Sequence, residues 1–133
     1  MNKYFTNKWE RKVRDFCDSQ YEIIDVKAGD IHYNYKCHLN ATHYAIRNSD
    51  EKLALVVYRE NEKLLPCVHF INYHDNKFID NTIGEWCVKF EYRFIRWVPK
   101  EEFFSTPNIL DDTQKVFRDM TVFPQKVFGD INN

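Results

Sequence analysis

The chain has 133 residues, of which 44% are apolar and 17% aromatic, and its 19 basic and 20 acidic side chains leave a formal net charge of −1. That length suits a single domain, residues 1–133, able to bury roughly two thirds of its unfolded surface, so a core needs neither disulfides nor a metal. The balanced charge argues against a phosphate-driven nucleic-acid binder, which shows a clustered basic face, and no run approaches the ~18 apolar residues of a membrane span.

The opening stretch, MNKYFTNKWERKVRDF, lacks the apolar segment of a signal peptide. Cysteines at 17, 37, 67 and 87 stand singly, with no C-x-x-C spacing, and read as reduced thiols of a cytoplasmic protein. Trp9, Val13, Phe16 and Cys17 fall on one helical stripe, which predicts a helix over 8–19, with Asn7 and Glu10 placed to cap its start. YEIIDVK, 21–27, predicts a strand closed by Ala28-Gly29-Asp30. A second helix is expected over 37–48, where Cys37, Ala41 and Ala45 form one small face able to sit close to whatever it packs on.

Residues 51–98 predict an antiparallel meander: strands 52–59, 64–73, 77–82 and 87–98, the last broken near Phe94 and Ile95 by a bulge or twist. A closing helix is expected from about Asp111 to Met120, with Asp111 and Asp112 in its first turn, where the dipole favours them. Leu110, Phe117 and Met120 supply its buried side, and the tail VFPQKVFGDINN adds a few packed rings before it frays. The fold class is therefore α+β, N-terminal helices packed on an antiparallel sheet of about four to five strands with a C-terminal helix: a helical part with strand 21–27 over 1–50, the antiparallel meander over 51–98, and a closing helix and tail over 99–133.

Three polar residues occupy positions where a core prefers apolar ones. Cys37 opens a helix, His69 lies within the apolar run CVHFI, and Asp80 within FIDNT. A helix N-terminus stabilises a thiolate, a strand histidine can act as its base, and a carboxylate on the next strand can fix the histidine tautomer. In an antiparallel hairpin, a two-residue loop at Asp75-Asn76 makes His69 a diagonal neighbour of Asp80 on the same face, and a four-residue loop sets them directly opposite. A three-residue loop would separate them. Taken singly, Cys37 reads as a small buried residue, His69 as a hydrogen-bonded core histidine and Asp80 as the head of a DNT turn; the combination is what points to chemistry.

The segments CHLNA, HFIN and KFIDNTIG resemble the transglutaminase-like and papain-like cysteine superfamily, and a C-H-x-N-A … H … I-D-x-T pattern is similar to that of small phage-encoded proteins. The resemblance covers about residues 35–86. It implies a helix-borne nucleophile at Cys37, a general base and acid at His69 and an orienting carboxylate at Asp80. Candidate accessory residues are Asn34, His38 and Asn40. The papain-like pattern has a glutamine before the cysteine for the oxyanion hole; here IHYNYK leaves that role to Asn34 or the Cys37 amide. Transglutaminase-like enzymes often carry an aromatic beside the cysteine, where this chain has His38.

The function expected is a cysteine-dependent hydrolase or acyl-transfer enzyme acting on an amide or peptide through a Cys-His-Asp triad. The alternative is a non-catalytic phage-type interaction protein that modulates a host protein. Its partner would then be that host protein rather than a peptide substrate, and its location the host cytoplasm. No cofactor, metal, nucleic acid or membrane is expected. A zinc site pooling Cys37, His38, Cys67 and His69 has poor ligand spacing, and KFEYRFIRW, although it interleaves rings with cations, alternates as any half-buried strand does.

Overall fold

The computed structural model describes residues 3–32, 34, 36–61 and 65–122, with side chains described between Glu10 and Met120. Three α-helices, α1 (Lys3–Gln20), α2 (Cys37–Arg47) and α3 (Thr106–Val122), accompany six strands: β1 (Glu22–Ile24), β2 (Val26–Ala28), β3 (Lys52–Glu60), β4 (Cys67–His74), β5 (Lys77–Asp80) and β6 (Phe90–Val98). Short 3-10 helices at Gly84–Lys89 and Lys100–Ser105 lead into β6 and α3. The α+β class is the one the residue patterns imply.

Several boundaries move for identifiable reasons. The first helix starts at Lys3, which puts Asn7 and Glu10 inside it rather than at a cap. Its stripe buries Val13 and Cys17 and half-buries Phe16; the Trp9 side chain lies outside the described residues. The closing helix starts at Thr106, not Asp111, because Pro107 sits in its first turn, where the missing N–H breaks no helical bond. Asp111 and Asp112 therefore lie beyond the first turn, which holds no acidic residue. Phe117 and Met120 are buried as expected, and the tail from Phe123 lies outside the described residues.

The segment read as one strand over 21–27 is two strands, β1 and β2, interrupted at Asp25. They lie at opposite ends of the sheet, whose order is β1-β6-β3-β4-β5-β2. A single residue thus joins the two edges, so the sheet must curl until they nearly meet. β2 runs parallel to β5, whereas every other pair is antiparallel. The strands are also no simple meander: β6 pairs with β3, because β2 occupies the outer edge of β5 and the 3-10 helix at Gly84–Lys89 carries the chain back across. That 3-10 helix takes Cys87, Val88 and Lys89 out of the expected strand. The break in β6 is a bulge, with Leu55 opposite Arg96 and Val56 opposite Phe94, leaving Ile95 unpaired with β3.

Strand alternation divides the core in two. Leu53, Leu55 and Val57 of β3, with Val68 and Phe70 of β4, pack under the helices against Val13, Ala41, Ala45, Phe117 and Met120. Ala54, Val56, Ile71 and Tyr92 face inside the curl, joined by the half-buried Ile24, Val26, Tyr58, Phe78, Phe90 and Phe94. Phe90, Tyr92 and Phe94 of KFEYRFIRW belong to this inner core and Trp97 is exposed, while Arg93 pairs with Asp18 and Glu91, and Arg96 with Glu102. Among the described residues no helix is long and apolar enough to cross a membrane.

The small face of α2 lies directly on the sheet. Asn72 of β4 donates from Nδ2 to the Ala41 carbonyl at 2.8 Å, a contact that larger residues on this face would block. Gly29 marks a second close approach. A Cβ there would lie 2.1 Å from Asn81 Oδ1 and 2.9 Å from the Asp80 carbonyl, to which the Gly29 amide donates at 3.0 Å. The chain after β2 is thereby held against the end of β5.

Candidate active site

The β4–β5 hairpin closes through Asp75 and Asn76, both at positive φ, 52° and 62°, as a two-residue primed turn requires. Its register pairs His74 with Lys77 and Asn72 with Ile79, so His69 and Asp80 share a face as diagonal neighbours. They meet: His69 Nε2 lies 2.8 Å from Asp80 Oδ2, with both residues buried.

β5 pairs only with Asn72, Tyr73 and His74, leaving the first half of β4 without a sheet neighbour on that side. The start of α2 fills this gap. Cys37 is 8% exposed and lies beside the His69 side chain and the Phe70 backbone amide, close enough for both to act on its thiol. With Nε2 on Asp80, Nδ1 is the ring nitrogen left for Cys37. Cys37, on the helix side of β4, thus reaches a histidine on the inner side only because β5 is short.

Asp80 has both oxygens occupied. Oδ1 accepts the amides of Thr82 and Ile83 at 2.9 and 3.0 Å, and Oδ2 accepts from His69 and from the Tyr92 hydroxyl at 2.6 Å. Burial pushes its carboxyl upward, but these bonds, His69's above all, outweigh it and hold the group below its ordinary value. Tyr92 is pushed up by burial and by the Asp80 charge, so it stays a proton donor. For His69, burial lowers the imidazole value, while the hydrogen bond to Asp80 and the neighbouring Cys37 raise it and prevail.

Cys37 follows the same logic. Burial opposes its thiolate, but the neighbouring His69 and the Phe70 amide bring its thiol below the ordinary value. Burial raises the other three thiols, that of Cys17 to about 12. One cysteine in four is electrostatically activated, and it is the one at the helix start.

The residues around the triad brace it. Asn34 accepts the Lys36 amide at 3.0 Å and exchanges side-chain bonds with Asn40, so it shapes the turn before Cys37. Asn40 also donates to Thr82 Oγ1 at 3.2 Å. α2 has no side-chain cap, and its Leu39 and Asn40 amides bond the Lys36 carbonyl. The Cys37 and His38 amides are those that helix geometry leaves without an intrahelical partner, and they lie at the end of α2 that carries the Cys37 thiol. His38 is half-buried, and its Nδ1 has no partner among the described residues.

Asn72, Tyr58 and Tyr92 are site residues that sequence reasoning missed. Asn72 Oδ1 accepts from Asn81, whose own Oδ1 accepts the Asp30 amide at 3.1 Å, tying the chain after Asp80 to β4 and to the loop after β2. The signal for Asn72 was present: a second polar residue in the apolar run HFINY. Among the described residues no three His, Cys, Asp or Glu side chains gather as a metal-holding group. A cleft of about 530 Å³ lies between the β1–β2 segment, the 3-10 helix before β6 and β6 itself; Tyr92 lines it but Cys37 does not.

Proton placement on Cys37 and His69 governs how stability depends on pH. His69, raised from 6.5 to about 10 by its partners, contributes stability that is complete below 6.5 and is lost as pH rises through its folded value. Cys37, lowered from 9.0, contributes stability that is complete above 9.0 and is lost as pH falls through its folded value. Between 6.5 and 9.0 the two slopes oppose each other. Asp80 contributes stability above 3.8 that is lost as pH falls through its depressed folded value. Cys37→Ala leaves the raised His69 uncompensated. Its urea midpoint is expected to decline more steeply than the wild-type midpoint as pH rises from 6.5 to 9.0, because the opposing slope of Cys37 is gone.

No family model matches the chain, and neither a curated protein nor a solved structure matches it.

Proposed function

We propose that the protein is a cysteine-dependent acyl-transfer enzyme or hydrolase acting on amide or peptide bonds, with a core of the transglutaminase-like and papain-like kind. One observation carries this reading: Cys37 opens α2 beside His69, whose Nε2 lies 2.8 Å from the buried Asp80 carboxylate.

The Cys37 thiolate attacks the substrate carbonyl carbon, and the amides at the start of α2 receive the developing oxyanion. The His69 imidazolium gives its proton to the departing amine as the C–N bond breaks, leaving a thioester on Cys37 and a neutral imidazole. Water, or a second amine, then attacks the thioester while His69 takes a proton from it. Loss of the thiolate restores the starting pair. Asp80 stays ionised and fixes the ring so that Nδ1 faces the sulfur.

A chromogenic activated ester, 4-nitrophenyl acetate, tests the reading without knowledge of the substrate. A burst of one equivalent of 4-nitrophenolate followed by steady turnover is expected, with the acetyl group mapped to Cys37 by mass spectrometry. Release without turnover, or acetylation confined to Cys67, would overturn it.

A further inference from the structure

The His69 ring has a neighbour that the proton-transfer scheme does not use. Tyr58 of β3 stacks flat on it, with centroids 4.1 Å apart and planes 5° from parallel. Phe90 of β6 stacks on Tyr58 at 4.5 Å and 18°. Three strands thus contribute one ring each to a column, Phe90–Tyr58–His69. Tyr58 lies opposite Tyr92 on one side and Cys67 on the other, and it reaches His69 as a diagonal neighbour.

Resting on the reading of Cys37 and His69 as a reacting pair, we propose that Tyr58 is a positioning residue: its ring, braced by Phe90, fixes the imidazole plane and covers the protonated ring with a π face. The plane matters because Nε2 is bonded to Asp80 and Nδ1 is the nitrogen left for Cys37, so a turn about χ2 would break the first and misdirect the second. The π face matters because His69 is almost wholly removed from water, where an aromatic face stabilises a cation most. The titratable groups facing the ring are Cys37 of α2, Asp80 of β5, Tyr92 of β6 and Tyr58 itself. The two anionic partners lie at the ring's edges, and the Tyr58 ring covers one of its faces.

The test is the titration of the His69 ring nitrogens, followed by NMR in wild type, Tyr58→Phe and Tyr58→Leu. Wild type and Tyr58→Phe, which keeps the ring, are expected to titrate together, well above the ordinary 6.5. In Tyr58→Leu the midpoint is expected to fall by roughly one pH unit, a tenfold change in the protonation constant of the size a desolvated cation–π contact supports. An unchanged midpoint in Tyr58→Leu, or an equal fall in Tyr58→Phe, overturns the role of Tyr58. A wild-type midpoint at or below 6.5 overturns instead the ion-pair reading of the site. Should Tyr58→Leu not fold, the wild-type spectrum still decides: a stacked Tyr58 must shift the His69 ring protons upfield, and their absence from that region removes the stack.

Discussion

Cys37→Ser is expected to lower turnover of an activated ester by at least roughly 10⁴-fold, the scale on which losing the nucleophile of an acting triad is felt. The change is nearly isosteric. A serine hydroxyl can still face His69 and the Phe70 amide, so the fold loses only about 1 kcal/mol or less. Chemistry and stability therefore separate. The thiol is brought toward ionisation by His69, whereas a hydroxyl, with its far higher intrinsic pKa, is not ionised by the same neighbours. Parallel ester kinetics and thermal unfolding check both halves. A variant that turns over like wild type would mean that the reaction does not run through the Cys37 sulfur.

Asp80→Ala is expected to be the most destabilising single change in the site, by about 3–5 kcal/mol, the usual cost of removing one partner from a buried ion pair. Four donors lose their acceptor together: the Thr82 and Ile83 amides, the Tyr92 hydroxyl and His69 Nε2. With total stability of the order of 5–15 kcal/mol for a domain, that is a large fraction of what holds the fold. Asp80→Asn separates the two jobs of the carboxylate. Its carbonyl oxygen can keep the two amides, so stability drops by about 1–2 kcal/mol. Its NH₂ group cannot accept from His69 and Tyr92, so the imidazole loses the charge that favours its protonated form. Cys37 activation is expected to vanish in a protein that still unfolds cooperatively. Chemical denaturation of both variants, read beside Cys37 reactivity, checks the distinction.

Much of the site was legible because it rests on local rules. The meeting of His69 and Asp80 follows from the period of two in a strand and the length of one turn, and Asp75-Asn76 is the kind of pair that tolerates positive φ. The small face of α2 was equally readable, since Cys37, Ala41 and Ala45 are set by the helical period alone. The pairing of β6 with β3 was not legible: an alternating strand looks the same whichever neighbour it takes. For the same reason nothing local placed Tyr58 over His69 or the Tyr92 hydroxyl on Asp80; both contacts exist only once β3, β4 and β6 lie side by side. The split of 21–27 at Asp25 escaped because each half satisfies a strand pattern and only closure of the curled sheet separates them. The early start of α3 was hidden by Pro107, which reads as a breaker unless it falls in the first turn.

The central claim is that Cys37 and His69 share a proton as thiolate and imidazolium. Its most direct test is the pH dependence of alkylation at each cysteine by iodoacetamide, resolved by mass spectrometry in wild type and His69→Ala. In wild type, Cys37 should react well below the pH at which Cys67, an exposed cysteine whose thiol is raised, begins to react. In His69→Ala burial then governs, and Cys37 should move to the alkaline side of its ordinary 9.0. A Cys37 that reacts no earlier than Cys67, or whose profile ignores the loss of His69, would contradict the account.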